Sequence, residues 1–225
     1  LPGEIEVLAT KGFKDFLIQE LKSDSLKKIK NGGVSKANSL SLIRAAFYTP
    51  WSANLSLPDL QKNADKINTI FPEWFFIDPV TFHLQTRIDS AGLALMKQKQ
   101  LRIMPIVSNF RSISKGFDGK LLHRILNDSV LQRTFIQQIA DTLSYYQLNG
   151  INIDFEELAE TTNAPLTQFQ KKLYEKLHGR GMLVSMDVEP KNNDYDYTKL
   201  SAYNDYIVLM AYDEFNNSTG PGPIS

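Results

Sequence analysis

From residue 40 onward the chain alternates between two kinds of segment, and this alternation limits its possible folds more than any other feature. Short apolar stretches recur as "LIRAAFY", "EWFFID", "LRIMPIVS", "GINIDFE", "MLVSMDV" and "DYIVLMAYDE". Between them lie stretches with helical spacing, among them "LPDLQKNADKI", "SAGLALMKQKQ", "VLQRTFIQQIADTLSYYQ" and "PLTQFQKKLYEKLHG". A strand that leads into a helix and then a further strand favours parallel pairing, with the helices outside the sheet. Two architectures satisfy this rhythm, an open doubly wound sheet and a closed (β/α)8 barrel. A doubly wound nucleotide fold carries a glycine-rich turn after its first strand. Here that strand ends in "YTPWS", so no phosphate site is expected there. The reading is therefore α/β, a (β/α)8 TIM barrel. Only six strands are counted, so the barrel is expected to be truncated after the sixth, with two more strands beyond this sequence.

The first 39 residues differ. "KGFKDFLIQELKSDSLKKIK" places Phe13, Phe16, Leu17 and Leu21 at helical spacing with lysines opposite. "NGGVSKANS" then reads as a linker. Residues 1–39 are assigned to an N-terminal amphipathic helix and linker, and residues 40–225 to a partial barrel domain. A chain of 225 residues, 42% hydrophobic, can bury one sizeable core. Its 25 basic and 25 acidic residues balance, which gives no reason to expect a nucleic-acid partner. Without cysteine, disulfides, thiol catalysis and cysteine-ligated zinc are excluded. No apolar run is long enough to span a bilayer.

The fourth strand carries the chemistry. In "NGINIDFEEL", Ile151, Ile153 and Phe155 alternate with Asn152, Asp154 and Glu156. The two sets face opposite sides of a strand. In a barrel the apolar set meets the helices and the polar set points inward, with Glu156 nearest the C-terminal end where barrel active sites form. Alternate residues lie about 6.6 Å apart along a strand. An ionised Asp154 therefore disfavours ionisation of Glu156, and a glutamic acid kept protonated is what general acid catalysis needs. "SMDVE" puts Ser185, Asp187 and Glu189 on one face of the fifth strand. "IVLMAYDE" puts Val208, Met210 and Tyr212 together on the sixth, with Asp213 at its tip. The first strand ends in "FYTPW", where Tyr48 and Trp51 are aromatics suited to stacking on sugar rings.

"GINIDFEE" resembles the strand-four signature of glycoside hydrolase family 18, the chitinase-like barrels, and "LMAYDE" resembles that family's Met-x-Tyr-Asp on strand six. The resemblance covers roughly residues 40 to 225. It implies Glu156 as general acid, Asp154 as the group that orients the substrate's N-acetyl, and Tyr212 as a hydrogen-bond partner of that same group. It implies substrate-assisted retaining hydrolysis of an N-acetylated polysaccharide, in which the acetamido oxygen attacks the anomeric carbon. Chitin fragments, poly-N-acetylglucosamine and peptidoglycan all qualify. No cofactor or metal is implied. Asp213 would line the cleft, and Asn152, Ser108, Met210 and Asp187 are further candidate substrate contacts, as are Tyr48 and Trp51. Asn149 and Asn152 replace two aspartates of the signature, a form similar to bacterial peptidoglycan N-acetylglucosaminidases and to barrels fused to deacetylase and glycosyltransferase domains. "VSNF" keeps Ser108 but lacks the family's glycine turn. The resemblance implies further fused domains and an extracytoplasmic or membrane-associated setting. Two alternatives stay open: a carbohydrate-binding module without turnover, and a metal-dependent enzyme using Asp154, Glu156, Asp187 and Asp213 as oxygen ligands.

Overall fold

Strand pairing gives the architecture. The computed structural model describes residues 42–50, 53–111, 116–160 and 163–211. The segment expected to form the N-terminal helix and linker lies outside the described residues. So do Trp51, Tyr212 and Asp213. β1 (Ala45–Tyr48) pairs in parallel with β2 (Thr69–Pro72), and β2 with β5 (Arg102–Ile103). A second parallel set runs β3 (Phe75–Ile77), β6 (Ile106–Ser108), β9 (Gly150–Asp154), β10 (Leu183–Val188) and β11 (Tyr206–Leu209). β2 and β3 are two halves of the second barrel strand, and β5 and β6 two halves of the third. Among the described residues, six strand positions thus follow one another in chain order, all parallel.

The breaks have a physical cause. Pro72 closes β2 and Pro105 precedes β6, and proline has no N–H to offer the ladder. "EWFFID" is only the second half of its strand; the first half, "TIFP", carries no alternation that would announce it. β4 (Leu84–Thr86) is added antiparallel to β3, and β7 (Phe110–Arg111) with β8 (Gly116–Phe117) forms a small hairpin beyond β6.

The helices are α1 (Ala53–Asn63), α2 (Ser90–Gln98), α3 (Gly119–Asn127), α4 (Ser129–Tyr146), α5 (Ala164–His178) and α6 (Tyr197–Ser201). From α2 onward each starts under an Asp or Asn side chain that accepts a backbone N–H. Asp89 takes that of Ala91, Asp118 of Leu121, Asp128 of Val130 and Leu131, Asn163 of Leu166 and Asp196 of Lys199. Each such cap stabilises its helix by about 1 kcal/mol.

Two apolar layers form on opposite faces of the sheet. Ile151, Ile153 and Phe155 of the fourth strand, with Val184, Met186 and Val188 of the fifth, belong to the large core shared with Phe135, Ile139, Phe169 and Leu173 of the helices. The Phe155 and Phe169 rings lie 5.6 Å apart. The other face holds a small cluster of Phe71, Met104 and Ile106, packed by Leu183, Tyr206 and Val208. Phe71 from the second strand position and Tyr206 from the sixth approach to 6.3 Å, so the sheet curves until distant strands meet across its interior. At the floor, Gly150 lets β9 and β10 close together: a Cβ there would sit 2.2 Å from the Leu183 carbonyl oxygen.

Candidate active site

β9 ends at Asp154, so Glu156 lies beyond the regular strand. The alternation nevertheless continues through it, because Phe155 is fully buried in the outer core. What holds Glu156 in strand-like geometry is the Asn109 side chain. Its Oδ1 accepts from the Glu156 N–H at 3.0 Å, and its Nδ2 donates to the Glu156 carbonyl at 2.9 Å. One amide side chain thus replaces a rung of the backbone ladder just past β6. Tyr195 donates its hydroxyl to the Phe155 carbonyl at 2.9 Å from the other flank. Past Glu156 the chain turns through Glu157 and Ala159, both at positive φ (55° and 54°). The Asp194 carboxylate secures the turn by accepting from the N–H groups of Ala159 and Glu160 at 3.0 and 2.7 Å. Gly119 gives the turn room, since a Cβ there would meet the Glu157 carbonyl oxygen at 2.0 Å.

Inside the barrel, Asn152 Nδ2 donates to Asp187 Oδ2 at 2.6 Å, and Ser185 Oγ donates to Asn152 Oδ1 at 2.6 Å. Ser108 is the register partner of Asp154 and hydrogen-bonds its carboxylate. Glu156 is hydrogen-bonded to Asp154 and to Glu189. Glu189 is itself held by Asn192 Nδ2 at 2.8 Å, while its carbonyl accepts from the Tyr197 hydroxyl at 2.7 Å. Among the described residues, Asp154 Oδ1 and Asp187 Oδ1 are buried without a hydrogen-bond partner.

The electrostatics follow from this crowding. Burial, reinforced by the charge of Asp154, pushes the Glu156 carboxyl up to about 9. Burial is also the main cause that raises Asp154, with the Ser108 hydrogen bond opposing it. Asp187, only 2% exposed, is raised well above the usual carboxylate range, first by burial and then by Asp154. A fourth acid, Glu73, sits at the break between β2 and β3 and is pushed to about 7 by burial and then by Asp154. Tyr206, in the inner cluster, is pushed to about 12 by burial and donates to Met104 Sδ at 2.7 Å. Unpaired charge is costly inside a protein, so burial shifts each of these neighbouring acids toward its protonated form. Among the described residues no group of three or more His, Asp or Glu side chains is arranged to hold a metal ion.

Asn152, Asp154, Glu156, Asp187 and Ser108 are therefore brought together. Met210 is buried just past β11, its N–H bonded to the Val188 carbonyl at 2.9 Å. Tyr48 is a correction: it is 2% exposed, on the outer face of β1, packed edge-on against Trp74 with its hydroxyl given to Asp89. It faces the helices, because the inward parity of β1 belongs to Phe47, whose ring lies 5.5 Å from Phe71. Glu73 and Asn109 escaped sequence reasoning. Glu73 stands at a strand break with no alternation to orient it. The missing glycines of "VSNF" were the one signal for Asn109.

A parallel barrel with a Glu156–Asp154 pair at the C-terminal end of its fourth strand defines a class of sugar-cleaving barrels, and comparison with known proteins agrees. The model of the glycosyl hydrolases family 18 matches residues 91–224, more than half of the chain, and the chain belongs to that family. YdhD of Bacillus subtilis (strain 168), named as a sporulation-specific glycosylase, is 27% identical over 180 residues, 75% of this chain and 42% of that protein. The solved class V chitinase of Pseudomonas fluorescens Pf-5 superposes with a TM-score of 0.74 at 24% identity, covering 81% of this chain and 60% of that one. The spore cortex-lytic enzyme SleL of Bacillus cereus gives 0.69 at 22%, covering 77% and 41%. The chain thus spans about two-fifths of the length of YdhD and of SleL.

Proposed function

We propose that this domain hydrolyses a β-linked polysaccharide containing N-acetylglucosamine, by substrate-assisted retaining catalysis with Glu156 as the general acid. The observation that carries this reading is the Glu156 carboxyl, hydrogen-bonded to Asp154 and kept protonated through neutral pH by burial and its neighbours. A protonated Glu156 gives its proton to the glycosidic oxygen as the bond to the anomeric carbon breaks. Asp154 accepts from the acetamido N–H, which turns the acetamido oxygen toward the anomeric carbon and raises its nucleophilicity. The glycosyl group is held as a cyclic intermediate of the substrate's own atoms, so no enzyme carboxylate serves as nucleophile. Glu156, now ionised, takes a proton from the water that opens the intermediate with retained configuration. Tyr212 is assigned the second hydrogen bond to the acetamido group, and Asp213 a place in the cleft. Ser108 and Asn152 hold the acids rather than reach for sugar. The relatives named as a chitinase and a spore cortex-lytic enzyme make chitin-like and cell-wall polymers the substrates to try first. Residues 40–225 are taken as the barrel domain, preceded by a helix and linker and joined to further domains outside the cytoplasm.

The test is incubation of the full chain and its Glu156→Gln variant with chitin and peptidoglycan oligomers, with products read by mass spectrometry. The expected result is cleavage by the parent and a fall of about 10²- to 10⁴-fold in the variant. Equal cleavage by both would overturn the assignment. Binding without cleavage by the parent would favour the carbohydrate-binding reading.

A further inference from the structure

We propose that Glu189 is a second carboxyl partner of Glu156, a positioning residue that keeps the acid anchored when Asp154 turns to the substrate. This rests on the reading of Glu156 as the general acid. The register of β9 and β10 pairs Asn152 with Ser185 and Ile153 with Met186. Continued by one side-chain pair, it sets Asp154 beside Asp187; continued by two, it sets Glu156 beside Glu189. The fifth strand thus lays a second row of acids along the first. Glu189 is fixed there from behind by the Asn192 amide at 2.8 Å and by the Tyr197 hydroxyl on its carbonyl at 2.7 Å.

The proton count gives this contact a consequence. Glu156 hydrogen-bonds both Asp154 and Glu189. A hydrogen bond between two carboxyl groups needs one proton between them. A neutral Glu156 has one proton to give, so it satisfies one neighbour at a time unless a second proton resides on the trio. When Asp154 spends an oxygen on the acetamido N–H, the Glu189 contact remains and holds the Glu156 carboxyl toward the cleft. The groups that face Glu156 are Asp154 from its own strand, Glu189 and Tyr195 from β10 and the segment after it, and the Asn109 amide after β6. Glu73, from the second strand position, feels the charge of Asp154. Among the described residues, no lysine or arginine is among the groups that act most strongly on Glu156.

The experiment is a carbon-13 NMR titration of the glutamate side-chain carboxyl carbons in the full chain, with Glu156→Gln assigning the Glu156 signal. Glu189→Gln preserves size and hydrogen bonding but removes a negative charge. Ionisation of Glu156 becomes easier, and its midpoint is expected to fall by about one pH unit. Asn192→Ala, which frees Glu189 to leave, is expected to move the midpoint the same way by less. An unchanged midpoint in both variants overturns the proposal. This readout needs no turnover, so it fails or succeeds apart from the general-acid reading. That reading falls instead if the Glu156→Gln chain cleaves as well as its parent. Where cleavage is measured, the basic limb of the kcat/KM profile is expected to move down with the midpoint in Glu189→Gln. A merely structural role would lower the rate without moving the limb.

Discussion

The two faces of the fourth strand obey opposite rules. Outward, Ile151, Ile153 and Phe155 are fully buried in a continuous apolar core. Inward, Asn152, Asp154 and Glu156 are buried or half-buried among other polar groups, and one oxygen each of Asp154 and Asp187 has no partner among the described residues. The outer face gains from every contact it makes. The inner face costs free energy that the outer face offsets, and what it gains is a cluster of carboxyl groups that burial raises together. A site of this kind is stable only because its back is closed by packing.

Substitutions at four positions break or sharpen that contrast, and the largest effect belongs to the outer face. Phe155→Ala removes a fully buried ring and should lower stability by about 3–5 kcal/mol, read by urea denaturation. If the loss is under about 1 kcal/mol, the outer layer is not what carries the site. Asn109→Ala removes both bonds to the Glu156 backbone. It should lower stability by about 2–3 kcal/mol and slow turnover by at least about tenfold. Asn109→Asp keeps the acceptor and loses the donor, so it should fall between. Glu156→Gln should act in the opposite sense. The folded Glu156 titrates near 9 against an ordinary 4.5, so the folded state holds a proton that the unfolded chain has released. Its contribution is fully present below about pH 4.5 and is lost as pH rises toward 9. The Gln variant escapes this loss. Glu156 is only half-buried, so solvent screening limits the gain, which should be on the order of 1–2 kcal/mol at pH 8 and near zero at pH 4. Thermal melts across pH would show the two curves diverging upward; parallel curves would contradict the burial argument. Tyr48→Phe should have the smallest effect, about 1 kcal/mol from the lost bond to Asp89, with turnover unchanged. A fall in sugar affinity would return Tyr48 to the cleft.

The part of this architecture legible in the sequence was the part written in parity. "GINIDFE" and "SMDVE" alternate strictly, so their inward residues could be named before any coordinates. The sixfold strand rhythm was legible for the same reason. Parity fails where both phases are apolar. "AAFYTPW" gives no sign whether Phe47 or Tyr48 faces inward; the fold turns Phe47 toward Phe71 and buries Tyr48 against the helices. It fails again at "TIFPEW", where a proline breaks the strand and leaves Glu73 aimed by the break. Contacts between strands are invisible to any single segment, since they depend on register. The meeting of Glu156 with Glu189, and of Asn109 with the Glu156 backbone, belongs to that class.

The Asn109 clamp has a consequence for how this barrel can vary. Ordinary ladders tie the end of one strand to the path of the next, so a changed loop drags its neighbour. Here the backbone of the acid is tied on one flank by a side-chain amide, rooted in the last residue before the hairpin departs, and on the other by Tyr195 and Asp194. Everything from Phe110 to Phe117 could therefore be lengthened, shortened or replaced with the acid still at its post. Chain length can change there while the carboxyl cluster stays fixed, so the surroundings of the site and its acids are free to vary independently.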